Sequence, residues 1–421
     1  MHEQLPRVTL AAYTHFGARG LKGIGMYHIV KEAWRRGWVE KVIAVSKRHC
    51  QYEFNLDLVD TFPGESRLIY GLGQVREKVW RNFPSRWLSE LLFDRHAASR
   101  LTGRGKILIA TPGMARTARR AKSFGYTTFL YGGHSDPVFL LRQIQIERSV
   151  FGLTKERQNR SRAWEMARFA AHIDASDYIL AISEFAAETY VQHGFPAERI
   201  FIVPLGVDLA KFPAAPPPSG GELIYLFMAH ASGSTGILKG LPYLLQAWDE
   251  MSLQNARLLI CGRIGQEVED LIGRFRTRLN SNVEFTGSVS DPAKYYQKAS
   301  VLVFPSLAEG FGKVVLEAMA SGRPVITTSI PKPVVRDGID GFYISPRDVP
   351  DLKEKMLYFY QRPEEVGRMG FNAGEQARRF SWDRFSLQIA DIVAEVAAKS
   401  ENRQPTPLST VAGLASLRVD A

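Results

Sequence analysis

Residues 301–328 read VLVFPSLAEGFGKVVLEAMASGRPVITT, and the fold follows from them. Val301 to Phe304 is an uninterrupted apolar run closed by Pro305 and Ser306, the pattern of a strand buried on both faces. A short loop with glycines at 310 and 312 follows. Lys313 to Ser321 takes helical spacing, with Val314, Val315, Leu316, Ala318 and Met319 apolar and Gly322 just past the helix end. Pro324 to Thr328 predicts another strand. Strand–loop–helix–strand is one unit of a parallel α/β sheet. Its loop falls at the carboxyl end of a strand, where such sheets bind ligands. The helix start offers unpaired N–H groups and a partial positive charge, both suited to phosphate. Glu309 in the loop and Glu317 two turns into the helix cannot bind phosphate as anions, but they can accept from sugar hydroxyls. The stretch therefore predicts a ligand that carries both phosphate and sugar.

The 421 residues suffice for two or three domains, and 45% hydrophobic with 23% charged residues describes a globular chain. No apolar run reaches the roughly 18–20 residues needed to cross a bilayer. Met1 to Pro6 lacks the features of a signal peptide. Cys50 and Cys261 lie far apart beside apolar segments and read as reduced core thiols, which predicts a reducing, cytoplasmic setting. The net charge of +11 lies wholly in residues 1–200, with 30 Lys and Arg against 19 Asp and Glu, while residues 201–421 carry 24 of each. Residues 67–122 hold 13 basic and 3 acidic residues. Such a field favours an anionic partner for the N-terminal half.

Along the chain, Arg7 to Tyr13 predicts a strand, then a loop with Gly17, Gly20, Gly23 and Gly25, a helix over Met26 to Arg36 and a strand over Val39 to Val45. The spacing is not G-x-G-x-x-G, and no acidic residue closes the second strand, so this unit does not read as a nicotinamide site. In 76–101, Trp80, Phe83, Trp87, Leu88, Leu91 and Leu92 recur at helical spacing among arginines. This is either a core-facing helix or a basic amphipathic surface against anionic lipid. No nucleic-acid motif accompanies it. Thr127 to Tyr131 predicts a strand that ends at Gly132-Gly133-His134-Ser135-Asp136, and Ser183 predicts a helix N-cap. Pro213 to Gly221 reads as a linker. A second α/β domain starts at Leu223, with a Gly/Ser-rich loop at 229–238, then Lys239-Gly240 and a helix. Later strands end at Gly262-Arg263 and Gly287-Ser288-Val289.

Glu309 and Glu317, eight positions apart around Gly310-Phe311-Gly312, resemble the E-x7-E signature of the retaining GT-B glycosyltransferases of family 4 (glycosyl transferases group 1). Residues 174–212, with V-P-x-G-V-D at Val203 to Asp208, resemble the same family, so the likeness covers about 174–395 well and 1–173 in outline. It implies an α/β GT-B fold, two facing Rossmann-like domains with a deep interdomain cleft. The domains would be an acceptor-binding domain at 1–213, a linker at 214–221 and a nucleotide-sugar-binding domain at 222–379. A helix at 380–400 would return to the N-terminal domain, followed by a flexible tail at 401–421.

The resemblance also implies a site. Glu309, His134 and Lys239 would be catalytic: Glu309 on hydroxyls of the transferred sugar, His134 near its primary hydroxyl or the reacting centre, and Lys239 on the leaving diphosphate. Asp136 is a weaker candidate for the same place. Gly23, Gly25, His230, Arg263, Val289, Gly310, Phe311, Gly312 and Glu317 would bind the donor, with Glu317 on the ribose and Val289 near the base. The family's loop arginine has no match, because Ala229 and His230 occupy that neighbourhood. No metal cluster is expected and no cofactor, the nucleotide-sugar being a substrate. The implied activity is retaining, metal-independent transfer to a glycan or lipid-linked acceptor in cell-surface polysaccharide or glycolipid biosynthesis. The protein would be cytoplasmic, at the inner face of the membrane through its basic N-terminal half, and would not bind nucleic acid. Two other readings stay open. One is a GT-B epimerase or phosphorylase, told apart by isomerised product or phosphate dependence without acceptor. The other is an inactive nucleotide-sugar or glycan-binding protein, told apart by binding without turnover.

Overall fold

A computed structural model describes residues 6–15, 21–46, 59–62, 85–153, 160–218, 221–231, 236–273, 282–330 and 334–401. Two parallel sheets organise it. Strands β1 (Val8–His15), β2 (Val39–Ser46), β3 (Val59–Thr61), β4 (Ile107–Ala110), β5 (Thr127–Gly132), β6 (Tyr178–Ala181) and β7 (Ile200–Ile202) form the first, in the order β3-β2-β1-β4-β5-β6-β7. Strands β8 (Leu223–Met228), β9 (Ala256–Cys261), β10 (Val283–Gly287), β11 (Val301–Phe304), β12 (Val325–Thr328) and β13 (Gly341–Ile344) form the second, in the order β10-β9-β8-β11-β12-β13. Every pairing between these strands is parallel. In each sheet the strand order reverses beside the first strand, at β1/β4 and at β8/β11, and ligands bind outside the carboxyl ends at such points. Residues 301–328 form β11, the helix Lys313–Ala320 and β12, with Val301–Phe304 and Val325–Thr328 buried throughout.

Two sequence expectations are corrected. The first helix runs from Leu21 to Arg35, starting five residues before Met26, so Gly23 and Gly25 belong to the helix and not to the loop before it. Both are buried. Gly25 is required by packing: a Cβ there would sit 2.1 Å from the hydroxyl of Tyr131 on β5. The helix Ser85–Arg100 buries Ser89, Phe93, Asp94, Ala97 and Ala98, while Leu88, Leu91 and Leu92 are half-buried. Its inner face is thus rotated from the expected leucine stripe, because Asp94 turns inward to cap the helix Ala115–Ser123 through Arg116 N at 3.0 Å and Thr117 N at 2.9 Å. Arg95 and Arg100 face solvent. Trp80, Phe83, Gly17, Gly20, Cys50 and the tail past residue 401 lie outside the described residues. Cys261 is buried and unbridged, and burial pushes its thiol up to about 11.

Elements away from the strand ends join the halves. The helix Trp382–Glu401 lies along Leu21–Arg35, with the His28 ring stacked on Trp382 at 4.7 Å and Ile389 and Val393 packed with Ile29 and Trp38. Arg323, fully buried, donates to Tyr296 O and to Pro216 O, both at 2.9 Å, and fastens residues 213–218 to the second sheet. The helix Pro137–Val150 leaves β5 of the first sheet and packs on the second half, its Ile144 in one apolar cluster with Leu238, Leu241 and Tyr243. Its Glu147 has no solvent exposure and accepts from Arg347 Nε at 2.6 Å and from Tyr243 Oη at 2.7 Å.

The last contact is asymmetric, because Arg347 is 31% exposed and can rehydrate whereas Glu147 cannot. Arg347→Met, which strands the buried carboxylate, is expected to cost about 3 kcal/mol. Glu147→Gln is expected to cost clearly less, and urea unfolding of the two variants checks the order.

Candidate active site

The site is built where the β11 loop meets its neighbours. The turn Gly236–Lys239 runs beside that loop because Leu238 O accepts from Leu307 N at 2.8 Å and from Ser306 Oγ at 3.1 Å. This register brings Lys239 Nζ onto Glu309 Oε1, with the two side chains 17% and 21% exposed. Burial lowers the Lys239 ammonium to about 8, and the adjoining Glu309 carboxylate works in the opposite direction by favouring the charged form.

The same loop is pinned to the first half. Ser135 Oγ donates to Glu309 O at 2.6 Å, and Ser183 Oγ donates to Gly310 O at 2.5 Å while accepting from Ala186 N at 3.0 Å as the helix cap. Gly310 passes so close to β5's end that a Cβ would fall 2.6 Å from Gly133 O and 3.0 Å from His134 Cα. His134 is therefore next to the Glu309–Gly310 loop. Its side chain is exposed and its carbonyl accepts from Tyr190 Oη at 2.6 Å. Asp136 does not share this place. It is 1% exposed and caps the helix Pro137–Val150, accepting from Val138 N and Phe139 N at 2.8 and 3.0 Å. Burial raises its carboxyl above the usual range, and the two N–H bonds and His193 oppose that shift.

Gly312, at φ 73, starts the helix Lys313–Ala320 with no side-chain cap, so the first N–H groups are open to a ligand. Phe311 is 2% exposed and packs in the apolar cluster with Phe304, so only its backbone can reach the cleft. Glu317 is 6% exposed; one oxygen accepts from Tyr296 Oη at 2.9 Å and the other pairs with Lys313 Nζ at 3.0 Å. Burial and the neighbouring carboxylate drive the Tyr296 hydroxyl far above its ordinary value, so it stays a donor. A cavity of about 450 Å³ opens beside Glu317, lined also by Lys313, Lys211, Asp208, His28 and Trp382.

His230 and Arg263 are exposed, and Arg263 N donates to His230 Nδ1 at 3.2 Å. Val289 is half-buried against the large core cluster. The structure thus gathers Glu309, Lys239, His134, Gly310 and Gly312 at one point and places Glu317 on the next two turns of the helix. Gly23 and Gly25 sit inside the first helix, with Gly25 facing Tyr131. Sequence reasoning missed Ser135, Tyr296 and Lys313. Lys313 had a signal, the i,i+4 spacing to Glu317. Ser135 and Tyr296 had none beyond their place at strand ends and in a helix. Among the described residues no helix is long and apolar enough to cross a membrane, and no group of three or more His, Cys, Asp or Glu could hold a metal ion.

Two sheets of this order, facing across a site at their carboxyl ends, define the GT-B architecture. Sucrose-phosphate synthase from Thermosynechococcus elongatus superposes with a TM-score of 0.66 at 19% identity, covering 93% of this chain and 100% of that one. The Anabaena protein HepE, solved with UDP and glucose, superposes with a TM-score of 0.61 at 15% identity over 93% and 100%. Residues 59–211 match the description Glycosyltransferase Family 4 and residues 227–362 match Glycosyl transferases group 1, and the chain belongs to this family. A D-inositol 3-phosphate glycosyltransferase of Streptomyces bingchenggensis is 30% identical over 250 residues, 53% of this chain and 54% of that protein. The chain spans about half the length of the curated relatives it matches.

Ser183 combines a helix cap with a bond across to the loop. Ser183→Ala is expected to destabilise the protein by about 1–2 kcal/mol in chemical unfolding. It should also make the segment around Gly310 more susceptible to limited proteolysis.

Proposed function

We propose that this protein is a glycosyltransferase that moves a sugar from a nucleotide-sugar donor to a hydroxyl of its acceptor with retention at the anomeric carbon. The observation that carries the reading is the meeting of Lys239, Glu309 and an uncapped helix start beside His134. A leaving diphosphate at the helix start would be neutralised by Lys239 and by the N–H groups after Gly312, without a metal ion. Each well-aimed donor there is worth about 2.7–4 kcal/mol in the transition state. Glu309 would accept from hydroxyls of the transferred sugar, Glu317 from the ribose, and the exposed His134 ring would contact the sugar from the other half.

Retaining hydrolases work with two carboxyl groups about 5–5.5 Å apart. Here Glu309 faces Lys239 and Glu317 faces Tyr296 and Lys313 in a separate cavity, an arrangement suited to binding two different parts of one donor. A same-face reaction fits it. The acceptor oxygen forms its bond to the anomeric carbon as the carbon–phosphate-oxygen bond breaks, and the acceptor proton passes to the departing phosphate oxygen.

The acceptor would bind against the basic half. The helix Ala115–Ser123 buries Ala115, Thr117, Ala118 and Ala121 and turns Arg116, Arg119, Arg120 and Lys122 to solvent. A phosphorylated or lipid-borne acceptor, as in cell-surface polysaccharide or glycolipid synthesis, suits that charge, with contact to an anionic membrane at the same face. The Streptomyces relative, by its name an enzyme of an inositol phosphate, accords with a phosphorylated acceptor.

Thermal unfolding with a panel of nucleotide-sugars should reveal one that raises the midpoint. With that donor, Glu309→Ala and Lys239→Ala are each expected to lower turnover at least a hundredfold; near-normal rates in both would contradict the reading. The pH dependence follows from Lys239. Its folded value lies below that of a free lysine, so the cation that holds diphosphate is complete only well below pH 8 and is lost as pH rises through about 8. Donor affinity should fall above that pH in the wild type and stay flatter in Lys239→Arg, as read by calorimetric titration.

A further inference from the structure

We infer that Lys313 supplies the second cation of the donor's diphosphate site, a role that rests on the nucleotide-sugar reading above. That reading asks for more positive charge than Lys239 alone provides, because Lys239 already faces Glu309. The described residues of the loop after β8 offer no substitute: Ala229 carries no charge, and His230 Nδ1 accepts from the backbone N–H of Arg263 at 3.2 Å. Arg263 itself is turned to solvent.

Lys313 comes from the other side. It is the first residue of the helix whose start is uncapped, and its side chain is 30% exposed, so it can move. Its ammonium stands 3.0 Å from Glu317 Oε1, while Tyr296 holds the second oxygen of that carboxylate at 2.9 Å. Lys313 and Glu317 line the same cavity of about 450 Å³. A ribose bound through its hydroxyls to Glu317 would share the carboxylate with this ammonium. The 5′-phosphate chain of a nucleotide reaching from the cavity toward the helix start would pass Lys313, which is both the first residue of that helix and part of the cavity wall. The cation would then pair with phosphate on one side and with Glu317 on the other, and Glu317 would position Lys313 as well as bind ribose.

Calorimetric titration of the wild type, Lys313→Met and Lys313→Arg with UDP, GDP and ADP tests this, alongside ligand-observed NMR of the parent nucleoside of whichever binds best. The expected result is at least tenfold weaker diphosphate binding in Lys313→Met, about 1.4 kcal/mol, with nucleoside binding within twofold of wild type and most of the loss restored by Lys313→Arg. Equal losses for nucleoside and diphosphate, or no loss for either, would overturn the role and leave Lys313 only as a neutralising partner of Glu317. Failure of the nucleotide-sugar reading looks different: none of the three diphosphates would bind the wild type, and both conclusions would fall.

Discussion

Gly310 passes close over the end of β5, and the two halves of the protein meet through that approach. The loop that carries Glu309 belongs to the second sheet, yet its backbone is fixed by hydroxyls of the first, Ser135 on Glu309 O and Ser183 on Gly310 O. With a Cβ at 310 only 2.6 Å from Gly133 O, no other residue lets the halves approach this far. The geometry of the site therefore cannot be separated from the way the halves meet. His134 and Glu309 become neighbours because their backbones, not their side chains, are fastened together. The buried Glu147–Arg347 contact and the helix Trp382–Glu401 hold the same approach from two other directions.

Charge in the cleft is arranged in alternation. Lys239 faces Glu309 in the loop, and Lys313 faces Glu317 on the helix, with the uncapped start at Gly312 between the pairs. Each carboxylate aims a cation, and each cation offsets the cost of holding a carboxylate inside the protein. A ligand with anionic phosphates and hydroxyl-rich sugars can engage both members of each pair at once, phosphate on ammonium and hydroxyl on carboxylate.

Much of this was legible in the sequence. The run Val301 to Phe304, the glycines and the helical spacing after Lys313 defined a parallel α/β unit, and the spacing of Glu309 and Glu317 defined the family. What was not legible depended on packing between distant segments. Gly23 and Gly25 read as loop residues because glycine is a poor helix former, whereas Gly25 is in the helix to admit Tyr131. The leucine stripe of 88–92 misplaced the inner face of its helix because Asp94, a charged residue, is buried there to cap a neighbour. Asp136 looked like a cleft carboxylate and is a helix cap, a role that the following Pro137 could have signalled. Phe311 lies inside the signature but its ring belongs to the core. The contact of Lys239 with Glu309 joins residues seventy positions apart, a distance over which local pattern carries no information.

In the proposed reaction one donor spans both charge pairs and reacts on the face from which its phosphate departs. Proton NMR of donor hydrolysis without acceptor tests it most directly, since water then takes the acceptor's place. The first sugar released is expected to have the anomeric configuration of the donor, before mutarotation, and Glu309→Ala is expected to suppress the release. Release of the opposite anomer first would contradict it.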